Sequence, residues 1–246
     1  MTEKKVILIT GSSRGIGRAT ARLAAKEGWS VVIHGQSDSN NLKNLHGELK
    51  DSFIIAGDVT DKAGVKREVG RVIEHYGRID ALVNCAGSIV YSQFLETSDE
   101  EILTMFKEHV LGTVHFCQEV IPIMQRQGEG RIVNISSIRG YPEMASYKSV
   151  GYSMAKESIR SVTASLAKIY APQILVNAVA PGFTETDIAK QWSEDTRRKA
   201  VEGSLLKRTA QPEETAQVIM FLASDKNSFI TGQTILVDGG YSLGGK

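Results

Sequence analysis

Cysteine is scarce in this chain: there are two among 246 residues, Cys85 and Cys117, both inside apolar stretches. That excludes a disulfide framework and points to a reducing, cytoplasmic setting. A surplus of one charge is also lacking. Twenty-nine basic residues face 28 acidic ones, a net charge of +1. Such a balance leaves no electrostatic footprint for nucleic acid or an anionic membrane as partner. No apolar run approaches the roughly 18 residues that a membrane helix needs. The opening Met1-Thr2-Glu3-Lys4-Lys5 leads straight into Val6–Ile9, an apolar run too short for the core of a secretory leader. Linkers, repeats and low-complexity segments are missing as well, so one domain over 1–246 is expected. Hydrophobic residues make up 41%, enough for a sizeable core.

What is present is an alternation of short apolar runs with helical stretches. The runs Val6–Ile9, Val31–Ile33, Phe53–Ala56, Asp80–Asn84, Arg131–Ile135, Ile174–Val179 and Thr234–Val237 read as strands. Between them, Gly15–Glu27, Leu42–Leu49, Asp61–Tyr76, Asp99–Gln127, Gly151–Ala171 and Glu213–Ser224 carry helical spacing, and Thr184–Gly203 is polar and helical. Ser98 or Asp99 is placed to cap the long fourth helix. Strands that are apolar throughout and separated by helices predict an α/β fold: a single doubly wound, Rossmann-type domain with a seven-stranded parallel sheet. The irregular stretches Ser37–Asn41, Ser88–Ser98, Ile138–Val150 and Thr184–Lys207 mostly follow strands, where ligands bind in open α/β sheets.

The first strand runs into Thr10-Gly11-Ser12-Ser13-Arg14-Gly15-Ile16-Gly17. Glycines there allow a tight turn and close backbone approach to a pyrophosphate, and the following helix N-terminus offers free N–H groups to the phosphates. The position between a strand and an amphipathic helix is the context that a dinucleotide turn requires. Sites for NAD place an acid at the end of the second strand, yet that end reads His34-Gly35-Gln36-Ser37. Gln36 lacks a charge, and Arg14 is available to pair with a 2′-phosphate. The expected cofactor is therefore NADP(H). Asp38 would favour NAD(H) if the strand ran one or two residues further.

Tyr152 and Lys156 lie one helical turn apart near the start of a long helix, so their side chains share a face. Of the seven tyrosines, Tyr152 alone is followed by a lysine at that spacing. A free phenol has a pKa of about 10. A neighbouring ammonium is expected to lower it and make the hydroxyl a usable acid–base group.

The T-G-x-x-x-G-x-G spacing resembles the short-chain dehydrogenase/reductase family. So do Asn84-Cys85-Ala86-Gly87 after the fourth strand, Tyr152-Ser153-Met154-Ala155-Lys156, and Pro181-Gly182-Phe183-Thr184-Glu185-Thr186-Asp187 after the sixth. The likeness runs from Lys5 to Tyr241. It implies an enzyme that moves a hydride between a nicotinamide and a carbonyl carbon. Ser137, Tyr152 and Lys156 would be catalytic, with His109 standing where many members carry an asparagine. It also implies cofactor contacts from Asp58 and Val59 beside the adenine, from Asn84, Ala86 and Gly87, and from Pro181, Gly182, Phe183, Thr184 and Thr186 at the nicotinamide end. Ser136 is set aside because successive strand side chains face opposite ways.

Within the family the motifs are most similar to reductases of 3-oxoacyl thioesters, which implies a substrate carried by acyl carrier protein or coenzyme A. Arg126 and Arg139 are the basic residues available near the mouth for a carrier. Another ketone, sugar or polyol substrate stays open, as does a catalytically silent NADP-binding scaffold on the same fold. The family habit of pairing the two long helices and the last strand implies a homotetramer.

Overall fold

The computed structural model describes residues 4–244. Met1–Glu3, on which the leader argument partly rests, lie outside the described residues. The strands are β1 Val6–Ile9, β2 Ser30–Gly35, β3 Ser52–Ala56, β4 Ala81–Asn84, β5 Gly130–Ile135, β6 Ile174–Pro181 and β7 Thr234–Val237. The helices are α1 Gly15–Lys26, α2 Asn40–Glu48, α3 Lys62–Tyr76, α4 Asp99–Phe106, α5 Gly112–Gln127, α6 Val150–Tyr170, α7 Glu194–Gly203 and α8 Pro212–Ala223. All strands pair in parallel in the order β3-β2-β1-β4-β5-β6-β7. The predicted α/β class and seven-stranded parallel sheet are thus observed.

Alternation within single strands separates two apolar layers. Val6 and Leu8 of β1 point into a layer with Val65, Val69, Phe116 and Val120 from α3 and α5. Ile7 and Ile9 point the other way, against Ala21, Ala24, Ile219 and Met220 from α1 and α8. Both faces are covered, which is why these strands are apolar at every position. The chain winds outward from β1 to β3, then returns to place β4 on the other side of β1. At that reversal the helices that follow β1 and β4 pack on opposite faces of the sheet and leave a crevice above the strand ends, the place where this architecture binds ligands.

Three local departures from the expected elements matter for the site. First, the long fourth helix is not uniform. Ser98 does start it, through a reciprocal cap: its hydroxyl accepts from Glu101 N–H while Glu101 accepts from Ser98 N–H. The helix then widens into a π turn over Lys107–Leu111 before continuing as α5. Second, β2 and β6 run two residues beyond the apolar runs, because backbone pairing continues through His34-Gly35 and Ala180-Pro181. Third, 184–203 is broken into a 3₁₀ turn, Asp187–Gln191, and α7, with Ser193 capping the latter through Thr196 N–H.

Candidate active site

The crevice is a cleft of about 840 Å³ above the C-terminal ends of the strands. Its floor is the glycine turn. Gly11 and Gly15 have positive φ angles of 65° and 55°. A Cβ on Gly11 would lie 2.7 Å from the Ala86 Cα, and one on Gly17 would lie 2.4 Å from the Gly11 carbonyl oxygen. Only glycine fits at either position. Thr10 ties the turns after β1 and β4 together, since its Oγ1 accepts from the N–H groups of Cys85 and Ala86 at 3.0 and 3.1 Å. Arg14 occupies the N-cap position of α1 without capping it by its side chain. The first-turn N–H groups of α1 therefore have no side-chain cap there, as an anion-binding helix start requires.

His34 is a supporting residue that pattern reading missed. Its Nε2 faces the Gly57 carbonyl at 3.1 Å, so that nitrogen carries the proton, and Nδ1 accepts from Gly11 N–H at 3.4 Å. Burial pushes its pKa down to about 4, against smaller opposing effects of the Gly57 bond and Asp58. A neutral imidazole thus braces the glycine turn against β2 and the loop after β3. The only available signal was a polar residue in an otherwise apolar strand.

Most sequence-selected residues line this cleft: Gly11, Ser13, Arg14, Gly15, Ile16, Gly17, Gln36, Asp58, Val59, Ala86, Gly87 and the run Pro181–Thr184 with Thr186. Two do not. Ser12 is fully buried and its hydroxyl bonds the His34 backbone, accepting from N–H at 2.8 Å and donating to the carbonyl at 3.2 Å. The Asn84 side chain turns into the sheet and donates to Asn134 Oδ1 at 2.9 Å. Both side chains serve as struts of the scaffold, because buried polar groups take the partners nearest them. Asp38 also stays out of the cleft. Although β2 reaches Gly35, the Asp38 carboxylate pairs with Lys43 at 3.0 Å. Ser37, Ser39 and Asn41 supply that part of the wall instead.

At the other end, Ser137 follows β5 and Tyr152 sits in the first turn of α6. Ser137 Oγ accepts from Arg139 N–H at 3.1 Å, and its hydroxyl is close enough to Tyr152 to favour the ionised phenol. Ser136 faces inward, donating to the Lys156 carbonyl at 2.7 Å. Lys156 is buried; its Nζ donates to the Ile135 carbonyl at 2.6 Å and lies 5.6 Å from the Tyr152 ring centre. Here the expectation of a lowered tyrosine is overturned. Burial pushes Tyr152 up to about 12, and the nearby Ser137 hydroxyl opposes this only in part. Burial also brings Lys156 down to about 8. Desolvation of the charged form exceeds the pull of a neighbouring charge at both groups.

His109 stands on the π turn, edge-on to Tyr152 with ring centres 5.3 Å apart. Its Nε2 donates to the Ser88 carbonyl at 2.7 Å, and the buried Nδ1 has no partner. Burial first, then the charge of Lys156, holds its pKa well below the usual imidazole range. The ring abuts Gly87, where a Cβ would come within 2.0 Å of its Cε1. Arg139 lines the cleft, whereas Arg126 does not. Arg126 is at the C-terminal end of α5, where neighbouring Gln127 bonds Ile79 just before β4. That is the N-terminal end of the strands, opposite the cleft, so Arg126 is removed from the mouth.

The fold and this cleft define a dinucleotide-dependent oxidoreductase of the doubly wound α/β class. A family described as enoyl-(acyl carrier protein) reductase matches residues 11–242. The chain belongs to the short-chain dehydrogenase/reductase family. It is 39% identical to the 3-oxoacyl-[acyl-carrier-protein] reductase FabG of Thermotoga maritima, over 97% of this chain and 98% of that protein. It is 38% identical to the reductase of the same name from Aquifex aeolicus, over 96% of each. Among solved structures, the ligand-free aldohexose dehydrogenase of Thermoplasma acidophilum superposes with a TM-score of 0.88 at 31% identity, covering 98% of this chain and 95% of that one. The chain is therefore an enzyme similar to 3-oxoacyl-[acyl-carrier-protein] reductases, of a family that uses nicotinamide cofactors. Among the described residues no helix is long and apolar enough to cross a membrane.

Proposed function

We propose that this enzyme reduces a 3-oxoacyl thioester, carried by acyl carrier protein or coenzyme A, to the 3-hydroxyacyl product with NADPH. The observation that carries the reaction type is the junction of Ser137, Tyr152 and Lys156 at one end of a cleft whose other end is the glycine turn. The names of the relatives support the substrate class. The phosphate preference rests on Arg14 beside a β2 end that offers Gln36, Ser37 and Ser39 and no acid. The residues fit the cofactor: the glycines leave room where side chains would collide, and the start of α1 lacks a side-chain cap.

When bound, the reduced nicotinamide supplies the hydride. Ser137 Oγ and the Tyr152 hydroxyl bond the substrate carbonyl oxygen. Tyr152 gives its proton to that oxygen as negative charge develops there. A phenol held near 12 is fully protonated at neutral pH, which suits a proton donor. Lys156 would hold the ribose hydroxyls, and the wall from Pro181 to Thr186 would hold the nicotinamide. His109 supports Tyr152 from behind as a neutral ring.

A sugar or polyol as substrate is the second reading, favoured by the likeness to an aldohexose dehydrogenase. The same proposal includes one domain over the chain and a cytoplasmic homotetramer. Exposed Leu103, Phe106 and Met154 on α4 and α6, and Phe221 and Leu236 on α8 and β7, offer the apolar faces that pairing would cover. Initial rates with NADPH and NADH against acetoacetyl thioesters, diketones and aldoses test the proposal. Turnover of the thioester with NADPH is expected. Preference for NADH would sink the Arg14 argument, and turnover of aldoses alone would shift the assignment to the second reading.

A further inference from the structure

Most charged groups in the cleft are answered by the protein itself. Lys156 bonds the Ile135 carbonyl, and Glu108 accepts from both Ser88 N–H and Ser88 Oγ at 3.0 and 2.7 Å. Asp58 accepts from Thr60 N–H at 2.8 Å. Among these charged groups Arg139 is the cation whose own backbone bonds Ser137. It stands on the turn Ile138–Gly140 directly after Ser137, and its side chain enters the substrate end of the cleft.

The guanidinium is held but not neutralised. Its Nη1 donates to the Met144 carbonyl at 2.9 Å, and its Cζ lies 5.4 Å from the centre of the Phe183 ring. Its own backbone N–H donates to Ser137 Oγ. Both side-chain contacts are with neutral groups, and among the described residues no carboxylate lies within ion-pair distance of it. The turn itself is seated tightly on α6, since a Cβ on Gly140 would fall 2.7 Å from the Lys156 carbonyl carbon. Arg139 is therefore fixed relative to Ser137, Tyr152 and Lys156. A guanidinium has five N–H donors in a rigid fork, so most remain for a ligand. Its charge also reaches the reacting end, favouring the ionised forms of Tyr152 and Tyr91 against the opposing effect of burial.

We propose that Arg139 is a specificity-determining residue that binds a second substrate oxygen, the carboxyl-derived oxygen of a β-keto acyl group, while Ser137 and Tyr152 hold the ketone oxygen. This rests on the reading of the substrate as a 3-oxoacyl compound and adds what selects it. A half-buried charged donor aimed at an oxygen discriminates against substrates that lack the oxygen, because it is then left without an acceptor. The acyl oxygen belongs either to a thioester or to a free carboxylate; the donor chemistry is the same.

Steady-state kinetics of the wild type, Arg139→Ala and Arg139→Lys would be measured with NADPH. The substrates are acetoacetyl-N-acetylcysteamine, acetoacetate and trifluoroacetophenone, an activated ketone with no second oxygen. Thermal melting and NADPH binding check that the variants fold. Arg139→Ala is expected to lower kcat/KM for the β-keto compound on the order of 30-fold more than for the isolated ketone. The loss should fall mainly on KM, and Arg139→Lys should recover part of it. Equal losses on all three substrates, or no loss on the β-keto compound, overturn the proposal while leaving thioester reduction intact. Wild-type turnover of acetoacetate but not of the thioester, with the same Arg139 dependence, keeps Arg139 and overturns the thioester reading. No β-keto turnover by the wild type overturns both.

Discussion

Because half-buried Tyr152 and buried Lys156 share one face of α6, desolvation moves them in opposite directions, the phenol up to about 12 and the ammonium down to about 8. At neutral pH the tyrosine keeps its proton and the lysine keeps its charge. Reduction needs both states, so kcat/KM should hold steady below pH 8 and fall as Lys156 deprotonates above it. A profile flat from pH 6.5 to 9.5 would contradict this. Replacing Tyr152 by Phe removes the proton donor and little packing. Turnover should drop by about 10²–10⁴-fold while NADPH binding, followed by fluorescence titration, stays near the wild-type value. The pairing of Tyr152 with Lys156 was legible from spacing alone. The direction of the tyrosine shift was not, since spacing reports which groups are neighbours and says nothing of how little water surrounds them.

At the scale of elements, the turn after β4 and the π turn between α4 and α5 meet at one point, Gly87 against His109. Gly87 has a φ of 147°, and any Cβ there collides with the imidazole. Gly87→Ala should cost about 1–3 kcal/mol and reduce turnover through displacement of the ring under Tyr152. A shorter side chain at position 109 relieves the collision. His109→Asn alone should change turnover by less than about tenfold, and the double variant should be less impaired than Gly87→Ala. Additive losses in this cycle would separate the two elements. The helix over Asp99–Gln127 was legible from its periodicity and its Ser98 cap. The π turn inside it was not, because a single widened turn leaves the apolar spacing on either side almost unchanged.

At the scale of the whole molecule, two buried imidazoles make the fold sensitive to acid. His34 has a folded pKa of about 4, below the ordinary 6.5. An unfolded imidazole takes up a proton as pH falls through 6.5, whereas the folded one does so only near 4. Unfolding therefore binds protons in that window and stability is lost from pH 6.5 downward, on the order of 3 kcal/mol from His34 by pH 4. His109 acts in the same direction. Urea midpoints at pH 7.5 and 4.5 should differ accordingly, and His34→Gln should flatten the dependence. An unchanged slope in that variant would assign the acid sensitivity elsewhere.

The sequence by itself determined the α/β class with its seven-stranded parallel sheet, the glycine-rich turn after β1 and the pairing of Tyr152 with Lys156. These depend on periodicity, on glycine at forced turns and on spacing along one helix, all local properties. Only the tertiary structure decided that the Ser12 and Asn84 side chains are struts, that Asp38 leaves the cleft for Lys43, and that Arg126 lies at the far end of the strands. It alone turned the Arg139 guanidinium into the cleft, with no carboxylate among the described residues within ion-pair distance. Those outcomes depend on which distant groups arrive within hydrogen-bond reach, and burial then determines which charges the site can hold.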